Sequence, residues 1–170
     1  MRIATFDIEA TKLDASYGRM LSYAFKFLDE DEVRSDYITH FSEEKELLEG
    51  LVENWDEADI VVTWYGRKYD IPFVNARLMI NGMLPLSSKK HIDLYQRSKT
   101  LRTLGNRLDN VAKDFDFHYQ KYDVPASAWL RATEGDQESI DEIVYHNEID
   151  VLMTEEALEV FRPTIGNIVK

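Results

Sequence analysis

The spacing of apolar residues predicts that the chain begins with three short strands. An apolar segment from Arg2 to Ile8 is followed by Met20 to Leu28, in which every second residue is large and apolar. A period of two is typical of a strand with one buried face. Acidic turn residues separate this segment from a third candidate strand, Val33 to Phe41. Short turns between such segments favour an antiparallel arrangement.

The middle of the chain alternates between helical and strand-like patterns. Apolar residues recur at helical spacing from Leu47 to Trp55, and Ser42 is of a type that commonly caps a helix. The run from Asp59 to Trp64 is almost wholly apolar, as expected for a strand buried on both faces. A helix is predicted over Ile71 to Asn81, with a proline in its first turn and a glycine just after its end.

The C-terminal half predicts one more strand and a series of helices. The strand is expected around His91 to Tyr95, and helical spacing predicts a helix over Thr103 to Phe115. A short helix over Ala126 to Ala132 interrupts an otherwise irregular stretch. Asp136 can cap a long last helix that should end near Phe161, because a proline follows two residues later. This order of elements predicts an α/β fold with a mixed sheet.

The size and composition indicate one domain spanning residues 1–170. At 170 residues and 44% apolar content, the chain can fill one hydrophobic core. It has no cysteine, so any metal must be bound by oxygen or imidazole ligands. No apolar run is long enough to cross a membrane, and the N-terminus lacks the pattern of a secretory signal. We therefore expect a cytoplasmic protein with no membrane partner.

The net charge of -12 at first argues against a nucleic-acid partner, because lysine and arginine supply most affinity for phosphates. Much of the acid, however, falls in two stretches typical of solvated helix faces, Ser42 to Glu57 and Glu134 to Glu159. Local charge is therefore the better guide. Basic residues are concentrated between these stretches, at Arg67, Lys68, Arg77, Lys89, Lys90, Arg97, Lys99, Arg102 and Arg107.

Three carboxylates fall near the predicted ends of central strands. Asp7 and Glu9 are two residues apart on the first strand, so their side chains share one face. An acidic pair on a central strand is costly unless a cation compensates it. Asp70 follows a buried strand, at the end where α/β sheets bind ligands. Taken alone, the pair also suits a strand entering solvent, and Asp70 also suits a helix cap.

A histidine and an aspartate share one face of the last predicted helix. His146 and Asp150 are four residues apart, so they stack and can act on one substrate or metal. Tyr145 is rotated by about 100° around the helix and should point elsewhere. Taken singly, Asp150 suits a surface position and His146 a partly buried one, so only the combination is informative.

Together these residues resemble the DnaQ-like (DEDD) 3'-5' exonuclease superfamily, which includes the proofreading domains of DNA polymerases. The resemblance rests on FDIEA (6–10), VTWYGRKYDIPF (62–73) and YHNEIDV (145–151) as its three motifs. The segment 91–115 is similar to a linker in B-family polymerase proofreading domains and their stand-alone relatives. Those relatives usually start the third motif with tyrosine, whereas His146 matches the histidine (DEDDh) branch. Tyr65 stands where many relatives carry a substrate-contacting asparagine.

The resemblance implies a ribonuclease H-like α/β fold with a mixed five-stranded sheet, its first three strands antiparallel and its last two parallel. It also implies two Mg²⁺ or Mn²⁺ ions bound by Asp7, Glu9, Asp70 and Asp150. Asp7 would bridge both ions, Glu9 and Asp150 would bind the first, and Asp70 would act mainly through water. His146 would be the general base. Oxygen ligands and the absence of cysteine also favour such hard cations.

The implied activity is metal-dependent release of nucleoside monophosphates from the 3' end of single-stranded nucleic acid, with DNA favoured over RNA. Two metal ions about 3.5 to 4 Å apart can stabilise the attacking and leaving oxygens of a phosphodiester. Tyr65, Arg67, Lys68 and Tyr69 are candidate strand contacts, because aromatic and basic side chains suit bases and backbone. The alternative stays open that Tyr69 belongs to the core and that Arg67 and Lys68 are ordinary surface residues.

Two other functions remain open at this point. One is a 3'-end-trimming ribonuclease or oligoribonuclease, since no motif reads a 2'-hydroxyl. The other is a non-catalytic nucleic-acid-binding module, which the presence of four acids and a base disfavours. The chain ends shortly after the third motif, so we expect no polymerase domain within it. A polymerase or replication partner acting in trans is a further candidate partner, in proofreading or repair.

Overall fold

A five-stranded mixed sheet lies at the centre of the chain, in a computed structural model that describes residues 1–101 and 105–165. The strand order is β3-β2-β1-β4-β5. The first three strands are antiparallel, and β4 and β5 run parallel to β1. This arrangement confirms the predicted sheet. The strands are β1 (Ile3–Ala10), β2 (Met20–Phe27), β3 (Arg34–Tyr37), β4 (Ile60–Thr63) and β5 (Lys90–Asp93).

Helices cover both faces of the sheet. The helices are α1 (Glu44–Glu57), α2 (Asp70–Ile80), α3 (Leu94–Ser98), α4 (Leu108–Asp114), α5 (Ala126–Thr133) and α6 (Gln137–Ile165). One core lies between the sheet and α1 and α2, and a second joins β4 and β5 to α3, α4 and α6. Among the described residues, no helix combines the length and apolarity needed to cross a bilayer.

The alternation of side chains along β1 decides which residues reach the candidate site. Phe6 stacks on Phe25 at 4.6 Å between ring centroids and meets the edge of Trp55 on α1 at 5.7 Å. Thr5 points to the other face, where its hydroxyl donates to the Val151 carbonyl of α6 at 2.9 Å. Asp7 and Glu9 have the same parity as Thr5. The strand therefore presents its carboxylates to α6.

Two boundaries near the third strand differ from the prediction. β3 ends at Tyr37, four residues early, and Ser42 is not a helix cap because it lies inside a short 3-10 turn, Phe41–Glu43. Glu43 precedes α1 without a side-chain cap bond to it, and its carboxylate instead accepts the backbone N–H groups of Thr39 and His40 at 2.8 and 3.1 Å. These hydrogen bonds hold the turn before α1, which begins at Glu44, one residue after the start that a Ser42 cap would give.

Two further boundaries fall in the C-terminal half. The helix predicted from Thr103 begins at Leu108, and residues 102–104 lie outside the described part of the chain. Asp136 caps α6 as predicted, since its carboxylate accepts the Ser139 N–H at 3.0 Å. The helix runs to Ile165, beyond its predicted end, with Pro163 inside its last turn. A proline there removes only one terminal hydrogen bond, which the rest of this long helix tolerates.

Arg77 is a core residue and not part of a basic surface. It is 2% exposed, and its guanidinium donates to both carboxylate oxygens of Glu44, at 2.8 and 2.5 Å. It also donates to the Ala15 carbonyl at 2.8 Å, while Glu44 accepts the Met20 N–H at 2.9 Å. The buried pair fastens the loop between β1 and β2 to α1 and α2. Arg77 is therefore occupied and does not face solvent.

Candidate metal centre

Four acids and one histidine meet where β1 ends. Asp7 and Glu9 come from β1, Asp70 begins α2, and His146 and Asp150 project from α6. All five line one open cleft of about 670 Å³. The structure thus brings together every residue that the sequence proposed for metal binding and catalysis, although it does not test their roles.

Three of these side chains surround a single point. Nε2 of His146 lies 3.4 Å from Oε1 of Glu9 and 3.8 Å from Oδ2 of Asp150. Ligand atoms of the three residues all lie within 4.8 Å of one another. Two carboxylates and an imidazole at this separation could bind one cation. Asp7 and Asp70 line the same cleft, so they could complete this site or contribute to a second one.

Asp150 has one occupied and one free oxygen. Its Oδ2 accepts a hydrogen bond from Nζ of Lys121 at 2.8 Å. Its Oδ1 is buried and has no hydrogen-bond partner among the described residues. A buried acceptor without a partner is costly, and a bound cation would satisfy it. The donor set of this cleft therefore fits a hard metal ion. Lys121 was missed by the sequence analysis because it lies in an irregular stretch with no periodic signal.

Asn147 was also missed, although it fixes the position of Asp7. Its Nδ2 donates to Oδ2 of Asp7 at 2.8 Å, and its Oδ1 accepts a hydrogen bond from the Ser22 hydroxyl at 3.0 Å. Asn147 is fully buried, with 0% exposure. Its amide thus links α6 to both β1 and β2. The only sequence signal for Asn147 is its spacing from Asp150. Residues three positions apart lie on the same side of a helix, so Asn147 shares the sheet-facing side of α6 with Asp150.

Burial and mutual repulsion raise the pKa values of three of the clustered acids. Burial, followed by the charges of Asp70 and Asp150, raises the pKa of Asp7 well above its ordinary value. Burial and Asp150 do the same to the pKa of Glu9. Burial raises the pKa of Asp70 to about 7, although backbone hydrogen bonds from Asp70 and Ile8 oppose it. Without a cation, full ionisation of this cluster is unfavourable. A divalent ion would reverse that preference.

His146 has a defined tautomer. Its Nδ1 lies 2.5 Å from the carbonyl oxygen of Tyr122, which can only accept, so Nδ1 carries a proton. Burial lowers the pKa of His146, while Asp150 acts in the opposite direction. The neutral ring therefore presents the Nε2 lone pair to the acids. Tyr145 is 54% exposed and packs beside Tyr122, which confirms that it does not share the direction of His146.

A tight turn after β4 forms another wall of the cleft. The Asp93 carboxylate accepts the backbone N–H groups of Tyr65 and Arg67, both at 3.1 Å. The Thr63 hydroxyl accepts the Gly66 N–H at 3.1 Å, and a Cβ added at Gly66 would lie 2.5 Å from that oxygen. Tyr65 adopts a φ of 70°, which is rare for a bulky residue. These contacts hold the turn, and neither Asp93 nor Gly66 was predicted from the sequence to have a role.

The predicted strand contacts divide between two cavities. Tyr65, Lys68 and Tyr69 line the cleft with the acids. Tyr65 is 42% exposed, whereas Tyr69 is half-buried and packs against Phe73 at 5.7 Å between centroids. Arg67 is exposed and lines a separate cavity. The structure therefore brings three of the four candidates to the acids, and the role of each as a strand contact stays a prediction.

Comparison with known proteins agrees with the observed architecture. The family model described as the RNase_H superfamily matches residues 4–161. The structure is similar to the family B DNA polymerase from the hyperthermophilic archaeon Pyrobaculum calidifontis, with a TM-score of 0.77 and 18% sequence identity. The match covers 96% of this chain and 25% of that polymerase, so the chain spans about a quarter of its length. No curated protein matched. The predicted ribonuclease H-like fold is confirmed.

Proposed function

Because the chain belongs to the RNase_H superfamily, we propose that it is a metal-dependent 3'-5' exonuclease of the histidine branch, acting on single-stranded DNA. The observation that carries this proposal is the convergence of four acids and His146 on one open cleft. Nucleoside monophosphates would be its products. Residues 1–170 would form one exonuclease domain, which could act with a polymerase in trans.

The metal ligands would be the four acids. Asp7, Glu9, Asp70 and Asp150 would hold two Mg²⁺ or Mn²⁺ ions, a donor set that suits hard cations. The unpartnered Oδ1 of Asp150 supports this assignment. Such ions, when bound, supply Lewis-acid activation of water and stabilise charge on the departing oxygen.

His146 is suited to receive a proton in the cleft. The Tyr122 carbonyl holds Nδ1–H, so Nε2 is the free basic atom. The carboxylates of Glu9 and Asp150 lie within 3.8 Å of Nε2, where they would stabilise the imidazolium formed after proton transfer. Asn147 keeps the Asp7 carboxylate in one orientation. His146 would therefore be the general base, with Asn147 as a positioning residue.

The cleft offers groups suited to an unpaired strand end. Tyr65 is exposed at the wall of the cleft, and its ring meets the edge of Tyr95 with centroids 4.7 Å apart. An exposed aromatic face can stack on an unpaired base, whereas a base inside a duplex is not accessible. Lys68 and Lys121 add positive charge to the same lining. These features favour a single strand and are neutral between DNA and RNA.

The test is degradation of a single-stranded DNA and an RNA of identical sequence, each labelled at the 5' end. With Mg²⁺ or Mn²⁺, we expect the DNA to shorten one nucleotide at a time while the label stays on the long products. The Asp7→Asn variant, which keeps the side-chain size, should be inactive. Absence of cleavage with both metals would overturn the proposal. Faster cleavage of the RNA would overturn only the preference for DNA and identify a 3'-end-trimming ribonuclease.

A further inference from the structure

A second cavity, of about 220 Å³, has a lining distinct from that of the acid cleft. Its lining includes Arg67, His91, Asp93, Gln96 and Arg97. The turn after β4 contributes to both spaces, since Tyr65 and Lys68 line the cleft and Arg67 lines the cavity. Nothing in the proposed reaction uses this second cavity.

Within the part of the chain that the structure describes, the two arginines of this cavity lack an ion-pair partner. Every other arginine in the described ranges has a carboxylate oxygen within 3.8 Å; these are Arg2, Arg19, Arg34, Arg77, Arg107, Arg131 and Arg162. Arg67 and Arg97 have none within residues 1–101 and 105–165, and both are exposed. In a chain with 32 acidic and 20 basic residues, partners are abundant. Two guanidinium groups on one concave surface, without an ion pair among the described residues, therefore point to an anionic ligand from outside.

Asp93 lines the cavity without neutralising these arginines. Its carboxylate is engaged by three backbone N–H groups, those of Tyr65, Arg67 and Tyr95, each at 3.1 Å. Asp93 is also buried, at 5% exposure. These hydrogen bonds occupy its carboxylate oxygens, and neither guanidinium is within ion-pair distance of them among the described residues. Nε2 of His91 is likewise engaged, 2.9 Å from the Thr63 hydroxyl. The guanidinium groups are the cationic donors left to face the cavity.

We propose that this cavity is a phosphate-binding site, with Arg67 and Arg97 as its ligands. The planar guanidinium presents paired N–H donors that match two phosphate oxygens. At 220 Å³ the cavity is smaller than the roughly 300 Å³ of pockets that enclose a whole drug-sized molecule. It therefore suits one phosphate group with part of its sugar. The phosphate could belong to a strand whose 3' end lies in the cleft, which rests on the proposed function, or to a free nucleotide.

The experiment compares Arg67→Gln/Arg97→Gln with Lys45→Gln/Lys113→Gln, which removes the same charge from exposed positions on α1 and α4. Fluorescence anisotropy of a labelled twelve-nucleotide dT strand is measured in chelator over a range of salt concentrations. We expect the arginine variant to bind about tenfold more weakly. Its salt dependence should be shallower by about 0.7 in log–log slope, the value for one lost phosphate contact on a single strand. The lysine variant should bind within about twofold of wild type.

Calorimetric titration with inorganic phosphate and with dTMP distinguishes the two sources. Loss of strand affinity without measurable binding of either small ligand assigns the site to the strand. Binding of phosphate or dTMP that disappears in the arginine variant, with unchanged strand affinity, assigns it to a free nucleotide. If neither strand nor small-ligand binding differs from wild type, the proposal is wrong.

Two features keep this test separate from the proposed function. All binding is measured without metal, so an inactive protein would still report on the cavity. Thermal unfolding of each variant checks folding, which we expect to be unchanged because Arg67 and Arg97 are exposed and unpaired within the described residues. As a second variant, Arg67→Lys/Arg97→Lys should retain charge but lose the paired donors, and so should recover only part of the affinity.

Discussion

Nζ of Lys121 lies 2.8 Å from Oδ2 of Asp150, so the acid cluster contains a cation of its own. Burial disfavours the charge on Lys121, but Asp150, Asp7 and Glu9 together raise its pKa above the ordinary value. The side chain is therefore protonated at neutral pH. The Lys121 ammonium group offsets part of the repulsion among the acids when no metal is bound. It also repels a metal ion that approaches the same acids.

We expect Lys121→Met to bind Mn²⁺ more tightly than wild type, by about tenfold, because a neighbouring positive charge is removed. The measurement is calorimetric titration of chelator-treated protein with Mn²⁺. Lys113→Met, at an exposed position of α4, is the control and should leave Mn²⁺ affinity unchanged. Weaker Mn²⁺ binding by Lys121→Met would show that the lysine organises the ligands and does not compete with the ion.

Substitution of Asn147 should disturb Asp7 without removing any acid. Asn147→Ala leaves the Asp7 carboxylate and the Ser22 hydroxyl without their buried partner. We expect Mn²⁺ affinity to fall by about 10- to 100-fold, the usual effect of losing a group that orients a ligand. Ser22→Ala keeps the bond to Asp7 and should lose less affinity. Equal effects of the two substitutions in calorimetry would contradict a specific role for the Asn147–Asp7 bond.

The role of His146 can be separated from metal binding. For His146→Gln, we expect nuclease turnover to fall by about 10²- to 10⁴-fold, while Mn²⁺ affinity changes by less than about tenfold. In wild type, kcat/KM should rise as pH increases through the lowered pKa of His146, below its usual 6.5, because a protonated Nε2 cannot accept a proton. This increase of kcat/KM with pH should be absent in His146→Gln.

Tyr145→Phe is the matched control, because Tyr145 neighbours His146 but points to solvent. It should behave as wild type in both turnover and metal binding. A His146→Gln protein that no longer bound Mn²⁺ would instead make His146 a ligand, together with Glu9 and Asp150.

The metal-free protein should become less stable as pH rises. The pKa of Asp70 is about 7 in the folded chain against 3.8 ordinarily, so the folded state holds its proton more tightly. The resulting stabilisation is complete below about pH 4 and is lost as pH increases through about 7. Urea unfolding in chelator should show this decline. Asp70→Asn should show a smaller decline, and saturating Mn²⁺ should abolish it, because the ion favours the ionised acids.

The buried Glu44–Arg77 pair should be costly to break from one side. Arg77→Met leaves a buried carboxylate without its cation, for which we expect a loss of about 3–5 kcal/mol in the free energy of unfolding. The double variant Glu44→Leu/Arg77→Met should lose less than the sum of the single changes. Arg162→Met, which breaks an exposed pair with Glu159, should cost less than about 1 kcal/mol. Additive losses in denaturant titrations would contradict this coupling.

The sequence predicted the sheet and the acids for physical reasons. The alternation of β2 and the apolar run of β4 report burial directly, because side chains must match the two faces of a strand. Asp7, Glu9 and Asp70 lie at strand and helix boundaries that local patterns also mark. His146 and Asp150 share a helix face by simple geometry. These residues could be found because each signal lies within a few positions of the chain.

Other parts of the site depend on partners that are distant in sequence. Arg77 was counted among a local concentration of basic residues, because its partner, Glu44, is 33 residues away and itself lies in a stretch typical of a solvated helix face. Lys121 and Asn147 become informative only when α6 packs on β1 and β2. The turn after β4 depends on Asp93, which reaches back 28 residues to Tyr65. Contacts between residues so far apart in sequence do not show in a local sequence pattern.

The bond between Asp7 and Asn147 spans 140 residues of the chain and joins its first strand to its last helix. A metal bound among these side chains would therefore cross-link the two ends of the fold through the centre of the sheet. Because the cleft is open, the ion itself can leave without such a movement. Separation of β1 from α6 would break up its ligand set, and that separation is an opening of the whole domain and not fraying of a loop. Metal binding should accordingly slow hydrogen exchange of the most protected amides of the central strands.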